Sequence, residues 1–461
     1  MEKRVNFSSK LGIVLASAGS AVGLGNVWRF PTEVGTGGGA AFILIYILCV
    51  VLIGMPLMVA EFVIGRHTHK NPADAYRQLA PRSGWIAQGY LGVFTAWFIL
   101  CYYGVVAGWT MKYLVEALTT RLDDVSDSAA YFSTFSGATW EPLIYLVIVM
   151  LMCHFIIIRG VQAGIERSSK LMMPLLLLII AVLVVFSFSM PGSSEGLKFL
   201  LKPDFSKLSS SVVLSAMGQA FFSLSIAMGC LCTYASYFTD DARLMKTACS
   251  VASIDTVVAV MAGFILFPAV FSVEAVTPDA GPGLVFITLP HVFRIAFGSV
   301  PVIGWFFSVM FYLLLLLAAL TSMVSIHEPP TAFLLEHFKL SRPVATTIVT
   351  VISIGMGILC SLSFGPLADV KPLFGLTFFD FFDFVSAKVF LPVGGIIVSL
   401  FVGWRLDKQI VIDQLTNRGS LHVPASVISV FLFLLRWLIP LAMISIFVKE
   451  LGILNWIDTI S

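Results

Sequence analysis

Stretches of about twenty apolar residues recur along nearly the whole 461-residue chain, and this one feature excludes most folds. A helix of that length spans the roughly 30 Å hydrocarbon core of a bilayer. Within that core each backbone N–H and C=O must find a partner inside its own segment. Repeated runs of this length therefore read as helices rather than barrel strands. Composition agrees, with 58% hydrophobic residues and 12% charged, against about 25% charged in ordinary soluble domains. The expected class is an all-α integral membrane protein, multi-pass in a lipid bilayer. A net charge of +2 and the lack of a basic cluster predict no nucleic-acid partner.

Turn and charge signals divide the apolar runs into eleven spans, near 10–36, 40–66, 86–118, 141–159, 169–190, 210–238, 245–271, 301–336, 343–362, 378–404 and 423–448. The longest, 86–118 and 301–336, must tilt or project into water. Most Lys and Arg residues fall on the side that carries the N-terminus. That bias predicts a cytoplasmic N-terminus and, after eleven spans, a C-terminus outside. The first span lacks the short apolar core and small-residue cleavage site of a signal peptide, so it is expected to be retained. The seven cysteines lie mostly within apolar runs and have neither CxxC nor zinc spacing, so they read as small buried apolar residues. Residues 272–300 include "TPDAGPGLVFITLPHVFRIAFG", whose Pro and Gly punctuation and short amphipathic helix suit an external lid or a plain surface loop equally.

Two spans contradict their own helical character. Residues 17–31, "SAGSAVGLGNVWRFP", place Gly19, Gly23, Gly25 and Asn26 inside the first span, with Arg29 just beyond. Residues 219–237, "QAFFSLSIAMGCLCTYASY", place Ser223, Ser225 and Gly229 inside the sixth. Small residues also serve close helix packing in membranes. Yet if spans 1–5 and 6–10 are two halves, the interruptions occupy corresponding positions. That pairing points to a secondary transporter with its binding site at the midplane. Unwound carbonyls replace a cation's hydration shell, while the half-helix N-termini direct N–H groups at an anion. Such a break favours a small zwitterion whose carboxylate sits beside a hard cation.

The first of these stretches, followed by "GGGAAF", resembles the first-helix signature of the neurotransmitter:sodium symporter family. The resemblance extends to "GMPLMVAEFVIGR", "YYGVVAGW", "GQAFFSLSIAMG" with "TYASY", and "AALTSMVSIHEPP", and so covers essentially the whole chain. Eleven spans resemble the shorter bacterial branch. The resemblance implies one transporter domain over 1–461, with two inverted five-helix repeats at about 10–190 and 210–404. Helices 1 and 6 would be broken, and an extra C-terminal helix would lie at 423–448. It implies a multi-pass protein of the bacterial plasma membrane, two sodium sites, no organic cofactor and no enzymatic activity. A non-transporting amino-acid sensor on the same scaffold would carry nearly identical sites.

Residue by residue, the first sodium would be held by Ala21, Asn26, Ser223 and Asp255, the last being Asn in many members. Asp255 lies among apolar and small residues, and an intramembrane carboxylate is a functional candidate in its own right. Chloride-dependent relatives place a bound anion beside this sodium; here the charge is built in, which predicts chloride independence. The second sodium would be held by Gly19, Val22, Ala318, Thr321 and Ser322. Substrate contacts would come from Ala21, Leu24, Gly25, Tyr103, Phe222, Ser223 and Ser225, with Ile99, Met228, Ser322 and Ile326 around the side chain. Ala227 and Ala319 would complete that apolar lining. Gly23 stands where monoamine carriers have Asp, so an amino acid is expected, and a hydrophobic or aromatic one.

For the gates, the resemblance pairs Arg29 through water with Asp383 outside and Arg4 with Glu336 inside, with Phe7 and Tyr237 nearby. Glu61 and Gln219 match positions that brace the broken helices. In span 5, Gly164 and Pro174 match a pair that accompanies local unwinding and release of the second sodium. His154 reads as a packing histidine, and Glu328 receives no role.

Overall fold

Because a bilayer offers no hydrogen-bond partners, the chain satisfies its backbone within helices. The computed structural model describes residues 5–119, 127–272, 283–297 and 300–452. Helix α1 (Lys10–Ala21) and α2 (Leu24–Thr36) form a broken pair bent by 62°. Helix α3 (Ala40–Thr68) leads through the short α4 (Pro72–Leu79) to α5 (Ile86–Leu118). Helices α6 (Ser128–Gly137) and α7 (Glu141–Ile157) meet at 75°. Next come α8 (Val161–Ser187) and α9 (Ser193–Leu201). A second broken pair follows, α10 (Ser210–Ser223) and α11 (Cys230–Ala235), separated by residues 224–229. The remainder is α12 (Leu244–Val270), α13 (Leu284–Ala296), α14 (Pro301–His337), α15 (Arg342–Leu362), α16 (Phe378–Arg405), α17 (Lys408–Leu415) and α18 (Ala425–Glu450).

Among the described residues, eight helices are long and apolar enough to cross a bilayer, or ten with each bent pair taken as one span. The α10–α11 pair adds a further interrupted segment. Large apolar side chains face outward at helical spacing, as Leu171, Leu178 and Val185 do along α8. A surface of that kind is stable against lipid rather than water. Of the cysteines, all but Cys249 are buried. The amphipathic helix expected in the loop after span 7 is α13; residues 273–282 and 298–299 of that loop lie outside the described residues.

The broken pairs lie centrally. Helix α1 packs against α8, α12 and α14, while α11 packs on α3 and α10 on the first part of α3. The longest helices, α5 and α14, pack most extensively against each other and form a wall beside the breaks. Span 5 begins earlier than the sequence predicts, at Val161 rather than 169. Its first turn, Val161–Glu166, is π-helical. A Cβ on Gly164 would lie 2.0 Å from the Ile156 carbonyl oxygen, so this glycine permits close backbone approach inside the helix.

Candidate functional site

Both breaks have a local cause. Val22 and Gly23 leave helical geometry and take extended backbone, and α2 restarts at Leu24. The Asn26 side chain makes the restart possible, because its Oδ1 accepts the Gly23 N–H at 2.9 Å. In the second break Ser225, Ala227 and Gly229 adopt positive φ values of 53°, 68° and 75°. Left-handed backbone at the non-glycine pair is strained and needs external support. Glu61 of α3 supplies it, accepting the Ala227 N–H and, at 3.3 Å, the Cys232 N–H. Ser225 ties the two breaks together by donating to the Ser20 carbonyl at 2.7 Å. Gln219 has no such role: among the described residues its buried amide finds no partner.

Of the residues expected at the first sodium site, Asn26 and Ser223 meet around Asp255. Its carboxylate accepts from Asn26 Nδ2 at 2.7 Å and from Ser223 Oγ at 2.8 and 3.0 Å. Tyr46 of α3, which sequence reasoning missed, donates to the same carboxylate at 3.2 Å. Asp255, Asn26 and Ser223 are all buried, and Ala21, also buried, is the last residue of α1 before the break. Carboxylate, amide and hydroxyl oxygens suit a hard cation rather than a soft one. The residues present fit sodium.

The second set assembles where α14 meets the break in α1. Ser322 Oγ donates to the Val22 carbonyl at 3.1 Å, and Thr321 Oγ1 reaches that carbonyl at 3.5 Å and the Ala318 carbonyl at 3.0 Å. Gly19 faces the same place, for a Cβ there would lie 3.4 Å from Thr321 Cβ. The donor set is again all oxygen, and one carbonyl, that of Val22, is shared by both hydroxyls.

Between the two sets, the Leu24 N–H points at the Tyr103 hydroxyl, 3.2 Å away. Gly23 lies against the same hydroxyls: a Cβ there would sit 2.5 Å from Ser322 Oγ and 3.2 Å from Tyr103 Oη. Ile99, Ala227, Met228, Ala319 and Ile326 are buried in one apolar cluster, with Tyr103 and Phe222 packed against it. Of the expected substrate-contacting residues, Leu24 meets Tyr103 and Gly25 lies against Phe222, while Ile99, Met228, Ser322 and Ile326, expected around the side chain, are buried and uncharged.

On the side of the breaks where Arg29 lies, a cavity of about 220 Å³ is bounded by Arg29, Phe222, Asp383, Lys388 and Glu450. The Arg29 guanidinium lies 4.5 Å above the Phe222 ring centre, within cation–π range. Its closest carboxylate partner is Glu450 of α18, at 3.9 Å, while Asp383 lines the same cavity. At the other end, Arg4 lies outside the described residues. Glu336 accepts the Asn71 N–H at 2.8 Å and its Nδ2 at 2.9 Å. Phe7 packs edge-on to Tyr234 and Tyr237. Glu328, unassigned from sequence, is fully buried and takes a two-point ion pair from Arg342 at 2.6 and 3.1 Å, plus the Tyr237 hydroxyl at 2.6 Å. The signal was present, since a carboxylate before Pro329-Pro330 in an apolar run needs a partner. His154 shares the Thr350 hydroxyl with His327, a satisfied packing arrangement.

The chain matches the family model described as sodium:neurotransmitter symporter over residues 4–134 and 130–456. An uncharacterised sodium-dependent transporter of Bacillus subtilis is 38% identical over 459 residues, covering 99% of each chain. One of Haemophilus influenzae is 32% identical, covering 98% of this chain and 99% of its own. The crystal structure of MhsT in complex with L-phenylalanine superposes with a TM-score of 0.86 at 40% identity, covering 97% of this chain and 100% of that one. The chain belongs to the sodium:neurotransmitter symporter family, whose members matched here are membrane transporters and not enzymes.

Proposed function

We propose that the protein is a sodium-coupled symporter that imports a hydrophobic or aromatic amino acid by alternating access without requiring chloride. The observation that carries this reading is the Asp255 carboxylate, hydrogen-bonded to Asn26 of the first break and Ser223 of the second. A fixed negative charge there serves a bound cation and takes the place of an accompanying anion. Gly23 leaves room beside the Leu24 N–H and the Tyr103 hydroxyl for a substrate carboxylate. The uncharged side-chain region suits apolar groups, and the L-phenylalanine held by MhsT supports the same class. A methylene or two is worth only about 1–3 kcal/mol, so several such amino acids should be accepted.

The two breaks support an arrangement of eleven spans with two inverted five-helix repeats, and α18 as the extra helix. The two donor sets support two sodium ions per cycle. The bias of basic residues supports a cytoplasmic N-terminus, an outside C-terminus and residence in a bacterial plasma membrane. The test is uptake into proteoliposomes driven by a sodium gradient, across a panel of amino acids. Leucine, methionine, tyrosine or tryptophan should accumulate, and gluconate in place of chloride should leave the rate unchanged. Uptake that collapses in gluconate, or binding of amino acid without any flux, would overturn the proposal.

A further inference from the structure

Away from the transport site, the start of α1 and the start of α12 enclose a cavity of about 340 Å³. Lys10, Arg243 and Lys246 line it, together with Ile13, Val14 and Ser250. Lys10 is paired with Asp241 at 2.8 Å, and that bond, with another from Thr239, holds the Asp241 carboxyl below the usual carboxylate range. Arg243 and Lys246 are exposed and have no ion-pair partner among the described residues. Arg243 is also the N-cap of the 27-residue α12, whose first N–H groups receive no side-chain cap. Two free cations and an uncapped helix N-terminus therefore face one cavity with an apolar wall.

From Lys246 an exposed face runs up α12 through Cys249, Ser253 and Val257, at spacings that keep them on one side. Leu11 on α1 is likewise exposed. A polyanion from solution would use the cations and leave the apolar wall bare. An amphiphile uses both.

We propose that this cavity binds an anionic phospholipid, with Arg243, Lys246 and the α12 N-terminus holding its phosphate and Val14 and the exposed face of α12 receiving an acyl chain. Basic pockets between membrane helices near the bilayer surface hold such headgroups. The bound lipid bridges α12 to α1, one half of the broken pair. Its presence restrains that half-helix at the end where the chain begins.

The test uses the full-length protein purified in detergent and native mass spectrometry with added phosphatidylglycerol, or phosphatidylcholine of the same chains. Wild-type protein should retain phosphatidylglycerol in preference, and Arg243→Gln/Lys246→Gln should retain it about tenfold less, with two surface cations removed. Arg405→Gln/Lys408→Gln, which removes cations elsewhere, should behave as wild type, and the charge-keeping Arg243→Lys/Lys246→Arg should retain the lipid even if the glutamine variant proves unstable. Equal retention of the two lipids, unaltered retention in the glutamine variant, or loss in the charge-keeping one would overturn the proposal. So would displacement by millimolar inorganic phosphate, which would mark a free-anion site without a lipid.

Discussion

Replacing Asp255 with Asn tests the charge at the first cation site while keeping its shape. The carboxylate accepts from Asn26 Nδ2 and Ser223 Oγ on one oxygen, and from Ser223 Oγ and the Tyr46 hydroxyl on the other. An amide oriented with its oxygen toward Asn26 keeps the first bond. Its NH2 group then faces two hydroxyls, which can rotate to accept. Local packing should therefore survive, and the main loss is electrostatic. Two unit charges 4 Å apart interact by about 4 kcal/mol at an effective dielectric near 20. The amide dipole and the remaining oxygens return part of that, leaving a net loss of about 1.5–3 kcal/mol, or roughly tenfold to a hundredfold in sodium affinity. The measurement is the sodium concentration for half-maximal uptake of a labelled amino acid in proteoliposomes, made in chloride and again in gluconate. Asp255→Asn should shift that concentration upward by at least about tenfold. A shift smaller than twofold would refute the reasoning, because the carboxylate would then not be serving the cation.

Three further outcomes follow from the geometry. Gly23→Ala places a Cβ 2.5 Å from Ser322 Oγ, so substrate affinity measured by equilibrium binding should fall about tenfold or more; unchanged binding would show that the hydroxyl side of the break is not the substrate's. Glu61→Gln removes charge-assisted bonds to the strained second break, each worth about 1.5–3 kcal/mol, and should lower the thermal unfolding midpoint and weaken protection by substrate. An unaltered midpoint would mean the break supports itself. Pro174→Ala restores a hydrogen bond within α8 and should slow inward release of sodium and substrate, read as slower efflux from preloaded vesicles; efflux at the wild-type rate would end the idea that this helix must loosen.

Much of the site was legible because its residues violate local rules. Gly19, Gly23 and Asn26 are poor helix formers in a bilayer, and Asp255 is expensive there, so each stood out within its own span. Ser223 and Ser225 stood out as a second interruption. What stayed hidden was support from distant helices. Tyr46 read as an ordinary member of α3, and nothing near residue 450 points to Arg29, more than four hundred positions away. The ion pair of Glu328 with Arg342 joins two helices whose turn the sequence did show, yet a partner for a buried carboxylate is fixed by packing and not by spacing. Gln219 marks the opposite failure. Its position suggested a brace alongside Glu61, and of the two only Glu61 bonds to the second break. Gly164, read with Pro174 as a point of unwinding, is also a close-contact point inside a π-helical turn.

The Phe222 ring touches two neighbours with different tasks. A Cβ on Gly25 would lie 3.6 Å from one edge of it, and Arg29 stacks on its face. On the proposed function, the ring is thus the ceiling of the binding region and the floor of the cavity beside Arg29. Recognition and sealing are written into one side chain and cannot be tuned separately. A variant with a smaller residue there would admit bulkier cargo and, by the same change, take away the surface on which the outer cation rests. Broadening what the protein carries by that route would cost tightness, so redesign of its cargo should begin at Met228 or Ile326, which are buried and do not line the cavity beside Arg29.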